Sequence, residues 1–193
     1  MTVSAETLTP NQAARRDRVL EAAMDLAGEG GYDAVQMRDV AARAQVALGT
    51  IYRYFSSKDH LLAACQLELW RQTAERFAQR PPDGDTASDR VVSFLRRAMR
   101  AAEREPRRTA ALVLAMASPD PAVRDCQLEV MGLIEQTLFT AMGDIDQDVK
   151  ARVAVALRQV WHAVLIEWVN EWSEPPAVSR DLESAARLLL AGQ

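Results

Sequence analysis

Cysteine is scarce in this chain of 193 residues, where Cys65 and Cys126 are the only two. Neither lies in a CxxC pair or beside a histidine at ligand spacing, so we expect two buried thiols rather than a zinc site or a disulfide. Long apolar runs are lacking too, since AALVLAMA at 110–117 is far short of the roughly 20 residues that cross a bilayer. No cationic leader followed by an apolar segment opens the chain, so the sequence predicts a cytoplasmic protein.

Catalytic motifs are also lacking. The chain has no nucleophile and base at suitable spacing and no Gly-rich phosphate loop, so we expect no catalytic residues, cofactor or metal site and no enzyme. The net charge of −4 taken alone argues weakly against a nucleic-acid partner. The segment 35–58 reverses that balance, with four positive residues against one negative. A basic segment in an acidic protein is typical of a DNA-binding module joined to a sensing body, although a solvated helix face has the same charge.

Apolar residues recur at helical spacing in the first third of the chain. A helix is predicted from Asn11, followed by short helices at 37–44 and 48–54. A fourth helix is predicted to begin at Ser56, with Asp59 three residues on in a capping-box-like arrangement. Glycine supplies the left-handed backbone that a helix end requires, and we expect the first helix to end at Gly28, Gly30 and Gly31.

The rest of the chain predicts a helical bundle. RPPDGD at 80–85 breaks the fourth helix, and prolines and a glycine then separate five more. No segment alternates apolar and polar residues for long enough to form a strand, so the predicted fold class is all-α. The five later helices are expected at roughly 86–105, 107–118, 120–142, 147–172 and 178–191.

Two short helices joined by a tight turn and braced by longer ones form a helix-turn-helix. The second short helix of such a module enters the major groove with its N-terminal end. Seven residues at a rise of 1.5 Å make a helix about 10 Å long, which suits a groove about 12 Å wide. Within VALGTIYRYF at 46–55, Ile51 and Phe55 are expected to point inward and Tyr54 to pack in the core.

The other side chains of this stretch have the chemistry of DNA contacts. Gly49 lets the backbone approach a base or phosphate, and Thr50 offers a hydroxyl and a methyl group to a base edge. Tyr52 and Arg53 suit phosphate oxygens. Lys58 is expected in the first turn of the fourth helix, where its charge adds to that of the backbone N–H groups.

Residues 16–62, with GGYDAVQMRDVAARAQVALGTIYRYFSSKDHLL at their centre, resemble the DNA-binding domain of the TetR family of bacterial regulators. The resemblance implies a flexible arm at 1–10, a DNA-binding domain at 11–56, and a ligand-binding body at 57–193 that dimerises through its last two long helices. It also implies double-stranded operator DNA as the partner of a homodimer. Together with the residue chemistry, it assigns DNA contact to Arg16, Met37, Arg38, Ala47, Leu48, Gly49, Thr50, Tyr52, Arg53 and Lys58.

Two positions depart from the family pattern. Gln45 stands where the family usually has glycine in the turn, and Ala47 stands where serine or threonine usually caps the recognition helix. A left-handed residue other than glycine costs about 1 kcal/mol, and a lost cap costs a similar amount. These departures predict a reshaped turn and remove the cap contact to phosphate that residue 47 would make.

The same departures, with YDAVQMR and the closing VSRDLESAARLLL, resemble a branch of the family that represses sterol catabolism in actinobacteria. That resemblance implies release from DNA by a coenzyme A thioester of a sterol side-chain acid. A regulator that activates, or that senses a fatty acyl thioester or a drug, fits the same residues. A helical carrier or enzyme that has lost DNA binding is a further alternative, against which the intact Gly49, Thr50, Tyr52 and Lys58 argue.

The segment 149–169 is apolar on nearly all sides, which indicates burial on more than one face. One face is expected to pack on its own body and the other on a partner subunit, with an interface at Val153, Leu157, Val164, Leu182 and Leu189. Bulky apolar residues on the central helices suit a large irregular pocket, although each suits an ordinary core as well. The candidate ligand-binding residues are Trp70, Phe94, Met99, Arg104, Met116, Met131, Trp161 and Trp168.

Overall fold

The structure, a computed structural model, describes residues 9–171 and 175–192, with the backbone alone at 175–178. The described residues are helical apart from short connections and include no strand, so the all-α prediction is confirmed. None of the described helices is long and apolar enough to cross a membrane. The helices are α1 (Pro10–Ala34), α2 (Met37–Arg43), α3 (Leu48–Tyr54), α4 (Lys58–Gln79), α5 (Ala87–Glu103), α6 (Pro106–Ala115), α7 (Pro121–Met142), α8 (Gln147–Val169) and α9 (Pro175–Leu189).

Proline begins several of these helices because its fixed φ suits the first turn and its missing N–H has no partner there. Pro10, Pro106, Pro121 and Pro175 are each the first helical residue. The predicted arm at 1–10 lies outside the described residues except at its end, where the Thr9 backbone N–H donates to Gln12 Oε1 at 2.9 Å.

The predicted break in the first helix is confirmed at one of its three glycines, whereas the predicted start of the fourth helix is off by one residue. The first helix continues through Gly28 and Gly30 and is interrupted at Gly31, where φ is +72°. The fourth helix is capped by Ser57 rather than Ser56, because the Ser57 hydroxyl accepts from the backbone N–H of His60 at 3.0 Å. One residue of register separates these caps, and the acidic Asp59 three positions on favoured Ser56, whereas Ser57 has His60 at that position.

The chain folds into two compact units, and α4 and α7 contribute to both. The first unit comprises residues up to Leu69 together with Glu105–Glu129. In it α1 packs against α2, α3 and α6. The predicted boundary between residues 56 and 57 therefore lies inside this unit, and its core holds Val19, Ala23, Val40, Ile51, Phe55, Leu61 and Leu62.

The second unit comprises Trp70–Arg104 and the residues from Val130 onward. In it α5 and α8 both pack against α9. Arg90 joins α5 to the end of α7, since its guanidinium donates to the carbonyl oxygens of Ala141 at 2.8 Å and Met142 at 3.4 Å. The side chains that fill this core include Phe94, Leu138, Met142, Leu157, Leu182 and Leu190.

Candidate nucleic-acid interface

The turn between α2 and α3 forms without the glycine that the family pattern has there. Gln45 takes a left-handed backbone with φ of +55°. The backbone N–H of Val46 donates to the Ala41 carbonyl at 3.0 Å and closes the turn. The turn therefore keeps a left-handed residue at position 45. Holding glutamine rather than glycine in this backbone conformation costs about 1 kcal/mol.

The start of α3 lacks a side-chain cap, as expected from Ala47. This residue is extended, with φ of −68° and ψ of 142°, which is the backbone of an N-cap, but its methyl group accepts no hydrogen bond. The Ala47 carbonyl accepts from the Thr50 N–H at 2.8 Å. The side chain of residue 47 therefore accepts from none of the backbone N–H groups in the first turn of α3.

The inner side of α3 fixes the helix to the first unit. Ile51, Tyr54 and Phe55 are all buried, as the spacing predicted. The guanidinium of Arg16 lies 5.7 Å from the centre of the Phe55 ring, and the His60 ring meets Phe55 edge-on at 5.5 Å. This packing holds α3 without using the residues on its outer side.

The outer side of α3 is open. Gly49, Tyr52 and Arg53 are exposed, with Tyr52 at 52% of its full residue exposure, and Thr50 is half-buried. A Cβ atom added at Gly49 would meet no atom within 4 Å in the part of the chain that the structure describes. The protein's own packing therefore does not require glycine at this helical position, where alanine is more stable by up to about 1 kcal/mol.

Two cations of the predicted set are held in place by aromatic rings. Arg53 donates to the Tyr54 hydroxyl at 3.0 Å and lies 5.1 Å from the centre of that ring. Lys58 Nζ lies 3.6 Å from the centre of the Tyr32 ring and donates to the Tyr32 carbonyl at 3.2 Å. The Tyr32 hydroxyl donates in turn to Asp59, and burial together with this carboxylate raises the pKa of Tyr32 to about 12.

The remaining predicted contact residues surround the turn. Arg38 and Ala47 are exposed, while Arg16, Met37 and Leu48 are half-buried. The structure thus brings all ten predicted residues into the first unit, on α1 to α3, on the turn before α3 and at the start of α4. Their contact with DNA stays a prediction.

A polar cluster of Ser56, Ser57, His60 and Asp120, which the sequence did not predict, lies at the end of α3. Asp120, in the connection between α6 and α7, accepts through Oδ2 from the hydroxyls of Ser56 at 3.0 Å and Ser57 at 2.9 Å. Its Oδ1 accepts from the backbone N–H of Ala122 at 2.9 Å. That bond first, and then the two serines, hold the pKa of the Asp120 carboxyl below its usual value. Only its place between Pro119 and Pro121 marked this residue in the sequence.

The predicted ligand residues of the second unit form an aromatic cluster. The ring of Trp70 lies 6.5 Å from Phe94 and 6.1 Å from Trp161, and Phe77 meets Phe94 edge-on at 4.8 Å. Phe94 and Met99 are each 1% exposed, so in this structure both are packed core. Trp161 and Trp168 are half-buried.

The other candidates for the ligand site are dispersed. Arg104 is exposed, Met131 Sδ accepts from Arg158 at 3.6 Å, and Met116 belongs to the first unit. A cavity of about 260 Å³ in the second unit has none of the predicted residues in its lining. That lining consists of Ala74, Glu75, Phe77, Ala78, Pro82, Gln136, Thr137 and Thr140.

The predicted dimer interface needs correction. Val153, Leu157, Val164 and Leu182 are buried within the chain's own core, so they have no surface left for a partner. Only Leu189 of that set is exposed. The spacing identified the apolar faces of both helices but did not indicate which face the chain itself covers. Among the side chains of α8 and α9 that the structure describes, the large apolar ones that are exposed are Val155, Leu188 and Leu189.

Two protein-family models match most of the chain. The model described as bacterial regulatory proteins, tetR family, matches residues 19–65, and the tetracyclin repressor-like C-terminal domain matches 84–189. The HTH-type transcriptional repressor KstR of Rhodococcus jostii (strain RHA1) is 36% identical over 192 residues, which cover 98% of this chain and 89% of KstR. The chain belongs to the TetR family. It is therefore a TetR-family transcriptional regulator.

Solved structures of TetR-family proteins share this fold. A TetR transcriptional regulator from Rhodococcus sp. RHA1 aligns with a TM-score of 0.84 and 31% identity over 94% of this chain and 98% of its own. FadR of Thermus thermophilus, a TetR-family transcriptional repressor solved in complex with lauroyl-CoA, aligns with a TM-score of 0.69. That alignment has 23% identity and covers 92% of this chain and 94% of FadR.

Proposed function

We propose that this chain is a repressor that reads operator DNA with the outer side of α3 and leaves it when a hydrophobic acyl thioester binds the body. The observation that carries the first half is the contrast between the two sides of α3. Ile51 and Phe55 bury one side, whereas Gly49 and Tyr52 are exposed on the other, and a Cβ atom added at Gly49 would meet no atom of the described residues within 4 Å. In a helix-turn-helix this is the side that enters the major groove.

The contact residues divide by what they recognise. Thr50 is proposed to read a base edge, whereas Tyr52 and Lys58 are proposed to bind phosphates. We therefore expect Thr50→Ala to relax base preference and Tyr52→Ala to weaken binding to all duplexes, each by roughly 1–3 kcal/mol. Fluorescence polarisation on a duplex selected from a random library by the wild-type protein, and on single-base variants of it, measures both effects.

Arg43→Ala is the matched control for loss of one surface side chain near the turn. The Arg43 guanidinium is paired with Glu29 at 2.8 and 3.0 Å, and Arg43 is not among the proposed contacts. We expect this variant to bind like wild type. If Thr50→Ala and Tyr52→Ala bind as well as Arg43→Ala does, α3 is not the reading helix.

The protein is proposed to bind DNA as a two-fold dimer through α8 and α9. Two recognition helices must reach successive major grooves, and a two-fold axis supplies the second. Leu188 on α9 is 78% exposed, which makes it the best candidate for the centre of that interface. We expect Leu188→Glu to reduce the dimer to the 21.4 kDa chain in analytical ultracentrifugation. Leu114→Glu on α6, also at an exposed leucine, is the control that should leave the dimer intact. A wild-type monomer at micromolar concentration would refute the proposal.

The proposed effector is a coenzyme A thioester of a sterol side-chain acid, and the regulated genes are those of sterol or lipid catabolism. Support comes from the resemblance to the sterol-catabolism branch and from the 36% identity to KstR. The aromatic residues Trp70, Phe77 and Trp161 give the second unit the kind of apolar interior that such a ligand requires. A fatty acyl thioester is the second candidate, because the lauroyl-CoA complex of FadR has the same fold.

Release from DNA requires that the effector bind the DNA-free conformation more tightly than the DNA-bound one. The test adds a sterol-derived acyl thioester, a straight-chain fatty acyl thioester and free coenzyme A in turn to the protein on its selected duplex. We expect the sterol thioester to lower fluorescence polarisation at concentrations where free coenzyme A does not. Release by the straight-chain compound alone would select the second candidate, and release by none would refute both.

A further inference from the structure

We propose that Asp120 is a positioning residue for the recognition helix, acting through the junction between α3 and α4. Its carboxylate holds Ser56 and Ser57, the two residues that separate Phe55 from the start of α4, at 3.0 and 2.9 Å. Ser56 and Ser57 lie 64 and 63 residues away from Asp120 along the chain. The two hydrogen bonds therefore tie the junction after α3 to the connection between α6 and α7. The inference rests on the proposed DNA binding by α3.

The hydrogen-bond roles in this cluster are fixed by its backbone donors. The Ser56 N–H can only donate, and it points to Nδ1 of His60 at 3.1 Å. Nδ1 is therefore an acceptor, and the imidazole is neutral with its proton on Nε2. The Ser57 hydroxyl accepts from the His60 N–H at 3.0 Å and so has its own proton free for Asp120. Ser56 Oγ lies 3.0 Å from the Asp120 carboxylate and 3.1 Å from His60 Nδ1. Because the Nδ1 lone pair already accepts from the Ser56 N–H, the Ser56 hydroxyl donates to the ionised carboxylate, as the Ser57 hydroxyl does.

This cluster lies between the two parts of the proposed DNA-binding surface. Thr50 and Tyr52 come before the junction on α3, and Lys58 follows it as the first residue of α4. His60, which completes the cluster, packs edge-on against Phe55. Loss of the Asp120 carboxylate removes two hydrogen bonds from the junction, so the contact residues on α3 and Lys58 on α4 no longer keep one spacing. Asp120 itself belongs to neither set, which makes its effect on DNA indirect.

A double-mutant cycle tests the proposal. Wild type, Asp120→Ala, Ser56→Ala/Ser57→Ala and the triple variant are compared on the selected duplex and on a random-sequence duplex by fluorescence polarisation. We expect Asp120→Ala and the serine variant each to lose about tenfold in affinity for the selected duplex, and the triple variant to lose no more than either alone. Affinity for the random duplex should stay within about twofold, because phosphate attraction does not depend on the exact helix position.

Asp125→Ala is the matched control, since this carboxylate is exposed on the next turn of α7. We expect it to bind both duplexes like wild type. If Asp120→Ala unfolds below the assay temperature, Asp120→Asn replaces it in the double-mutant cycle. The asparagine amide oxygen can still accept from the Ala122 N–H. Additive losses in the cycle, equal losses on both duplexes, or wild-type affinity in Asp120→Ala would overturn the proposal. If wild type selects no duplex at all, the proposed function has failed rather than the role of Asp120.

Discussion

Substitution of Gly49 by alanine should move stability and DNA binding in opposite directions. Gly49 is the second residue of α3, it has no left-handed φ, and a Cβ atom there would meet none of the described residues within 4 Å. Alanine is thus accommodated in the free protein. Its lower unfolded-state entropy and better helix propensity should stabilise the fold by about 0.4–1 kcal/mol. For a protein of this size that corresponds to a rise in Tm of roughly 1–4 °C.

Operator binding should fall at the same time. If the backbone at residue 49 approaches a base or phosphate closely, the new methyl group occupies the space of the DNA atom. We expect a loss of about tenfold or more, which corresponds to about 1.4 kcal/mol. Thermal melts followed by circular dichroism at one fixed protein concentration give the first quantity. Fluorescence polarisation on the selected duplex gives the second.

Gly132→Ala is the matched control for this experiment. Gly132 is also an exposed helical glycine, and no atom of residues 9–171 or 175–192 lies within 4 Å of an added Cβ, but it lies on α7 in the second unit. It should stabilise the fold to a similar extent and leave DNA binding unchanged. If Gly49→Ala binds the duplex as tightly as Gly132→Ala does, the glycine does not serve a close DNA contact. If Gly49→Ala lowers Tm, the backbone argument itself is refuted.

Three further substitutions test other parts of the structure. Ala47→Ser adds the missing cap to α3 and should stabilise the fold by about 1 kcal/mol in thermal melts, while an unchanged Tm would contradict the N-cap geometry. Burial lowers the pKa of His60, so the unfolded chain binds this proton more readily and stability falls as pH drops below about 6.5. His60→Asn, whose amide oxygen still accepts from the Ser56 N–H, should flatten that decline in urea titrations between about pH 7.5 and 5.5; an equal decline in both proteins would refute it. Phe94→Ala removes a fully buried ring and should cost about 3–5 kcal/mol, whereas a cost below about 1 kcal/mol would show that its site opens to solvent.

Helix number and most helix ends were predictable because they depend on local chemistry. Pro106 and Pro121 fix where α6 and α7 begin, since proline is tolerated only in the first turn. The two sides of α3 were predictable for the same reason, and the burial of Ile51 and Phe55 confirms them. The role of Gly30 was not predictable from local chemistry alone. An added Cβ at Gly30 would lie 2.6 Å from the Cβ of Ala34, on the far side of the left-handed Gly31, so glycine at residue 30 leaves room for the break at its neighbour.

Features that depend on contacts between distant segments were not predictable. Asp120 meets Ser56 and Ser57 only after α6 and α7 are in place, and no spacing in the sequence connects them. The apolar faces of α8 and α9 were identified correctly, but two faces of similar chemistry gave no means to tell the chain's own core from an exposed surface. Burial of Leu157 and exposure of Leu188 settle that question from the structure.

The central claim is that the first unit binds duplex DNA through α3 and the start of α4, and the salt dependence of binding tests it most directly. The logarithm of the association constant is measured against the logarithm of salt concentration for wild type, Lys58→Ala and Arg43→Ala on the selected duplex. Each phosphate contact adds about 0.9 to the magnitude of the slope, so Lys58→Ala should lower that magnitude by about 1 while Arg43→Ala leaves it unchanged. A wild-type slope near zero, or equal slopes for wild type and Lys58→Ala, would contradict the account.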